Sequence, residues 1–83
     1  MSSQYGPEYF GFSSSTTSYA YLPTDVVAGK TITIKDESGR ASIYPIYIVP
    51  STGEVIDNSS QVQLAINYGS LTMMRKNNNW WII

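Results

Sequence analysis

VAGKTITIKDESGRAS, residues 27–42, places a strand pattern directly before a turn pattern. Ile32 and Ile34 alternate with polar residues, a period of two that is typical of a half-buried β-strand. The polar sequence DESGRA follows, and Gly39 within it is expected to take a positive φ because glycine carries no Cβ. The segment therefore predicts a strand that ends in a tight reversal.

The same period recurs between turns up to the C-terminus. The strand candidates are IYPIYIVP (43–50), VQLAI (62–66, with Val62, Leu64 and Ile66 inward), LTMMR (71–75) and WWII (80–83). Pro45 lacks an N–H, so we expect it at an edge, a bulge or a strand start. No apolar set recurs at helical spacing. Residues 25–83 thus predict an all-β domain of five or six short antiparallel strands.

Residues 1–24 have a different composition. They combine glycine, proline and a Ser/Thr run with six aromatic residues: Tyr5, Tyr9, Phe10, Phe12, Tyr19 and Tyr21. A segment without periodicity does not form a core alone, yet this one is too aromatic for a free linker. We interpret it as an N-terminal arm that packs on another surface.

Two strand candidates are apolar on both faces. In IYPIYIVP and WWII, consecutive residues are apolar, so a single small antiparallel sheet leaves one face uncovered. Either the arm or another subunit is expected to cover it, and the candidate interface residues are Ile46, Ile48, Trp80 and Ile82. A chain of 83 residues has a thin core, which also favours association.

Composition excludes several kinds of site. The chain has no cysteine or histidine and a formal net charge of −1, with five basic residues against six acidic ones. Disulfides and thiolate or imidazole metal sites are therefore absent, and we expect no metal and no cofactor. No basic stripe is available for nucleic acid, and no apolar run is long enough for a membrane span.

Catalysis is not expected either. Asp36, Glu37 and Asp57 lie in turn contexts, where carboxylates are common as caps, and the run from Ser13 to Ser18 has no accompanying base. We therefore expect no catalytic residue and no enzyme. The exposed aromatics Tyr44, Tyr47 and Trp81 are candidate binding residues, since aromatic rings stack on sugars, although such residues more often lie in a core or interface.

Taken in order, the motifs resemble a known family. The sequence LP…VVAGKTITIKDESGRAS…PIYI…GEVID…YGSLTMM…NNWWII, over residues 22–83, resembles the β-rich terminal module of tail fibres, spikes and related virion proteins of bacteriophages and other viruses. Where that pattern has Asp-Gly, this chain has Asn58 and Asn77. Asparagine tolerates positive φ, so we expect the turns to survive.

The resemblance implies a function. A module of this kind is a structural component located in the virion and made in the host cytoplasm. Its implied partners are two further copies of itself, in a closely packed or intertwined homotrimer, together with other virion proteins and a host surface glycan or receptor. Two alternatives stay open: a carbohydrate- or receptor-binding β-domain that uses exposed Tyr and Trp, and, least favoured, a fragment of a polysaccharide depolymerase.

Overall fold

A computed structural model describes residues 6–13 and 15–83. Its strands are β1 (Glu8–Phe12), β2 (Ser18–Tyr21), β3 (Thr31–Asp36), β4 (Ile46–Val49), β5 (Val62–Leu64), β6 (Ser70–Lys76) and β7 (Asn79–Ile82). The part of the chain described contains no helix, and the all-β prediction is confirmed. The strand count exceeds the expected five or six because the N-terminal arm supplies β1 and β2.

The strands form two mixed sheets. The first has the order β1-β3-β6-β7 and the second the order β2-β4-β5. The pairs β3–β6, β6–β7 and β4–β5 are antiparallel as predicted, whereas β1–β3 and β2–β4 are parallel. The arm enters one sheet and then the other before the chain returns to both, so each parallel pair is joined by a long connection, as parallel pairing requires.

The core forms between the inward faces of both sheets. Alternation along the strands brings one set of side chains inside, and Leu22 and Ile56 from the loops join them. The buried cluster is Ala20, Leu22, Ile32, Ile34, Ile46, Ile48, Ile56, Leu64, Met73 and Trp80. Phe10 and Phe12 of β1 pack against this cluster while staying half-buried. The arm thus takes part in the core of its own chain.

The expectation for Ile66 was wrong. β5 ends at Leu64, and Ile66 is 72% exposed instead of inward. The chain turns away from the sheet there, since the N–H of Gly69 donates to the Ile66 carbonyl over 2.8 Å. Strand candidates that alternate well can still end early when a turn begins inside them.

The turn after β3 is built around the buried carboxylate of Asp36. Oδ1 accepts hydrogen bonds from the Ser38 N–H (3.0 Å), the Ser38 hydroxyl (2.7 Å) and the Gly39 N–H (3.2 Å). Oδ2 accepts the N–H groups of Ala41 and Tyr68, each at 3.0 Å. Burial alone raises the pKa of Asp36, but these hydrogen bonds outweigh it and hold that pKa well below its usual range.

Backbone geometry matches the turn predictions. Gly39 has φ 74°, as expected for the reversal, and Asn58 and Asn77 have φ 66° and 54°. Each asparagine occupies the left-handed position that the corresponding glycine would take. Pro45 directly precedes β4, so it lies at a strand start.

Among the described residues, two part-buried ion pairs connect the sheets to their surroundings. Lys30, just before β3, contacts Glu8 of β1 with Nζ–Oε1 at 2.7 Å. Arg75 of β6 makes two hydrogen bonds to Glu54, at 2.7 and 3.1 Å, and lies 5.6 Å from the Trp80 ring centroid. Both pairs are charge-assisted, and the Arg75 pair is bidentate, the stronger geometry.

Candidate functional site

The outward side of the second sheet carries an aromatic surface. In β2 and β4, Ala20, Ile46 and Ile48 are buried, and the residues that alternate with them face away from the core. Three of these outward residues are tyrosines, Tyr19, Tyr21 and Tyr47, here called the tyrosine face. Tyr19 and Tyr21 are 54% and 67% exposed, while Tyr47 is half-buried.

Strand register sets the ring geometry. Tyr19 and Tyr47 are partners in the parallel β2–β4 pair, and their ring centroids lie 5.5 Å apart at an interplanar angle of 22°. Tyr19 also stacks with Tyr21 at 6.3 Å and 19°. These separations are typical of offset stacking. The contacts hold the three rings in similar orientations. A ligand that binds them would therefore cost less side-chain conformational entropy.

The surroundings of the tyrosine face are polar but uncharged. β2, β4 and β5 contain no charged residue, and exposed Gln63 lies opposite Tyr47 in the β4–β5 pair. Among the described residues, no hydrogen bond engages the three tyrosine hydroxyls. Apolar rings with free hydroxyls and a nearby amide suit a neutral, polyhydroxylated ligand better than an ion.

The predicted binding residues do not form one site. Tyr47 belongs to the tyrosine face, whereas Trp81 lies on β7 of the other sheet, where its Nε1 donates to the Lys76 carbonyl over 3.0 Å. Half-buried Tyr44 lies in the turn before β4, and its N–H donates to the Arg40 carbonyl over 2.7 Å. Sequence reasoning placed Tyr19 and Tyr21 in the arm and did not select them as binding residues. The signal that could have identified them is the SYAY alternation, which puts both tyrosines on one face of a strand and Ala20 on the other.

The predicted interface residues lie mostly inside the chain. Ile46, Ile48 and Trp80 are buried in its own core, so in this structure they offer no surface to another subunit, and Ile82 is half-buried. The cause is that side chains from both sheets pack into one core cluster within the chain. The large hydrophobic side chains left exposed are Tyr9, Tyr19, Tyr21, Val27, Ile43, Ile66, Tyr68, Trp81 and Ile83.

The carboxylates considered for catalysis have structural partners. Asp36 holds its turn, and Asp57 accepts the Ile82 N–H at 3.1 Å. Glu37 accepts the Tyr9 hydroxyl at 2.5 Å, a hydrogen bond that raises the pKa of Tyr9. Within residues 6–13 and 15–83, no three carboxylates converge in a way that could hold a metal ion, and no helix could cross a membrane.

Comparison with known proteins gives no family assignment. No protein-family model matches the chain, and no curated protein matches its sequence. The candidate site therefore rests on its own geometry.

Proposed function

We propose that the chain is a non-enzymatic structural module of a virion, part of a fibre, spike or tail tip. In this proposal three copies assemble into a homotrimer, contact other virion proteins and support attachment to the host. The support from sequence is the ordered resemblance across residues 22–83. Its most specific piece, IKDESGRAS, lies at the end of β3 and in the turn that Asp36 organises.

The observation that carries the proposal is a pair of exposed isoleucines in two neighbouring turns. Ile43 and Ile66 are 71% and 72% exposed. The two turns that contain them are joined directly, since the Ser42 N–H donates to Asn67 Oδ1 over 2.8 Å. Large apolar side chains exposed in neighbouring turns favour association with another protein surface.

Particle mass in solution tests the assembly. Size exclusion with light scattering is expected to give about 28 kDa, three times the 9.2 kDa of the chain. A soluble species of 9.2 kDa that persists at micromolar concentration would contradict the trimer. Because a single chain already contains a buried core, the measured mass distinguishes a folded monomer from a trimer.

A second function is favoured by the tyrosine face. Its stacked rings and uncharged surroundings suit a carbohydrate, so we propose as the alternative a carbohydrate- or receptor-binding β-domain acting through Tyr19, Tyr21 and Tyr47. This function needs no other subunit, so carbohydrate binding is expected whatever the particle mass.

Glycan-array binding with the protein displayed multivalently separates the two functions. Saturable binding that Tyr47→Ala or Tyr21→Ala removes supports the carbohydrate site. Tyr9→Ala is the matched control, because Tyr9 is an exposed tyrosine on the first sheet. An array with no saturable signal, or a signal that Tyr9→Ala removes equally, would contradict a site at the tyrosine face.

A further inference from the structure

An apolar pocket opens beside the arm, between β1 and β2, which are edge strands of the two sheets. Its volume is about 170 Å³. The side chains that decide its character are Phe10, Phe12, Ala20, Leu22, Ile32 and Ile34. Tyr19 and Tyr21 of the tyrosine face also line the pocket, whereas the exposed isoleucines Ile43 and Ile66 do not.

The strands explain why space is left there. Inward residues of β1 and β2 belong to different sheets and are not paired with each other. Phe10 and Phe12 stay half-buried beside the gap, and the inward residue of β2 at this level is only an alanine, Ala20. Because Ala20 lines the pocket, a larger side chain at position 20 is expected to reduce its volume.

The lining determines what can bind. Among the described residues that line the pocket, none carries a charge, so an ion or a strongly polar ligand would lose its hydration without compensation. An apolar cavity of about 150 Å³ in another protein stays dry and accepts benzene. Two phenylalanines at the wall offer edge-to-face contacts to an aromatic ring.

We propose that this pocket binds one small apolar ring compound, from benzene to indole in size, as a free ligand. The ring enters between β1 and β2 and packs against Phe10, Phe12 and the two isoleucines of β3. Its binding is driven by the transfer of apolar surface out of water. The proposal goes beyond the proposed function and requires neither assembly nor a carbohydrate.

NMR titration of the isotope-labelled full chain with indole tests it. Saturable shifts are expected at the Ile32 and Ile34 methyls and at the rings of Phe10 and Phe12. Ala20→Leu fills the space and is expected to lose these shifts. Ala65→Leu is the matched control, because Ala65 is exposed beyond the end of β5 and the same atoms are added outside the pocket.

The wild-type result decides the proposal even if Ala20→Leu does not fold, and Ala20→Val provides a smaller filling change. Indole that produces no saturable shift in the wild type overturns the proposal. So does a folded Ala20→Leu or Ala20→Val variant that binds indole as the wild type does. Shifts at Tyr47 without shifts at Phe10, Phe12, Ile32 and Ile34 would also overturn it, because Tyr47 does not line the pocket.

Discussion

Asp36 is the residue on which the turn after β3 depends. Its carboxylate satisfies four backbone N–H groups and one hydroxyl, drawn from residues as far apart as Ser38 and Tyr68. Asp36→Asn replaces one acceptor oxygen by a donor and leaves buried N–H groups unpaired. The free energy of unfolding is expected to fall by on the order of 3 kcal/mol.

Urea denaturation measures this loss. Asp25→Asn is the matched control, because Asp25 is exposed in the loop before β3, and it is expected to change stability by less than about 0.5 kcal/mol. Equal midpoints for the two variants would show that the Asp36 hydrogen bonds add nothing beyond a surface carboxylate.

The same carboxylate predicts a pH dependence of stability. The pKa of Asp36 is lowered in the folded chain, whereas in the unfolded chain it lies near the ordinary value of about 3.9. Between these values the unfolded state binds more protons, so stability rises with pH in that window. The contribution is complete above the unfolded pKa and is lost as pH falls through the folded pKa.

Urea midpoints recorded between about pH 2 and pH 6 test this linkage. The wild type and Asp36→Asn are expected to differ most near neutral pH and to converge on acidification. A smaller slope is expected to remain in Asp36→Asn, because hydrogen bonds from Arg75, opposed in part by burial, lower the pKa of Glu54. Parallel pH profiles for the two proteins would contradict the role given to Asp36.

Gly39 illustrates a requirement of backbone geometry. Its φ of 74° is disfavoured for residues with a Cβ, and a Cβ placed there would lie 2.4 Å from Cζ of the Tyr68 ring. Gly39→Val is therefore expected to lower the free energy of unfolding by about 1–3 kcal/mol. Asn77→Gly is the complementary change and is expected to be nearly neutral, since φ at Asn77 is 54°.

Thermal or urea unfolding of both variants measures these changes in stability. A Gly39→Val variant as stable as the wild type would mean that the turn relaxes without cost. A large loss in Asn77→Gly would reveal a role for the asparagine side chain beyond its φ.

At the level of elements, the strands from β3 onward were largely readable because each is a short run of strand-forming residues bounded by turn residues, and several of them also alternate. Ile32 and Ile34 are buried as the TITIK alternation predicts, and Trp80 is buried as one side of WWII. β1 and β2 were not recognised as strands. EYFGF and SYAY lie between glycines, prolines and serines, and their partners β3 and β4 are distant in sequence, so local pattern gave no register.

The arm is expected to be required for folding. A chain lacking residues 1–21 loses β1 and β2, which exposes Ile32 and Ile34 and leaves Lys30 without the Glu8 carboxylate. A buried ion whose partner is removed is strongly destabilising. We expect the truncated chain to lose amide chemical-shift dispersion and cooperative unfolding. Wild-type dispersion in the truncated chain would show that residues 22–83 fold by themselves.

For the whole molecule, the all-β fold class could be predicted from periodicity and composition. Which apolar residues are exposed at the surface could not. Sequence reasoning assigned Ile46, Ile48 and Trp80 to an interface because their strands are apolar on both faces. Both sheets pack into one core, so these residues are buried within the single chain, and the exposed apolar groups lie elsewhere. Which apolar residues face solvent depends on long-range pairing, and a period of two cannot reveal that.

Assembly is then expected to use the exposed isoleucines. If Ile43 and Ile66 lie in the trimer interface, the double variant Ile43→Ser/Ile66→Ser removes apolar area from it without touching the core, since both side chains are more than two-thirds exposed. Light scattering at equal protein concentration is expected to show the wild type at about 28 kDa and the double variant near the 9.2 kDa of one chain.

The control is Ser60→Ala, an exposed change in the loop before β5, which is expected to keep the wild-type mass. A folded double variant that remains trimeric would place the interface elsewhere, with Tyr9, Trp81 and Ile83 on the first sheet as the next surface to test.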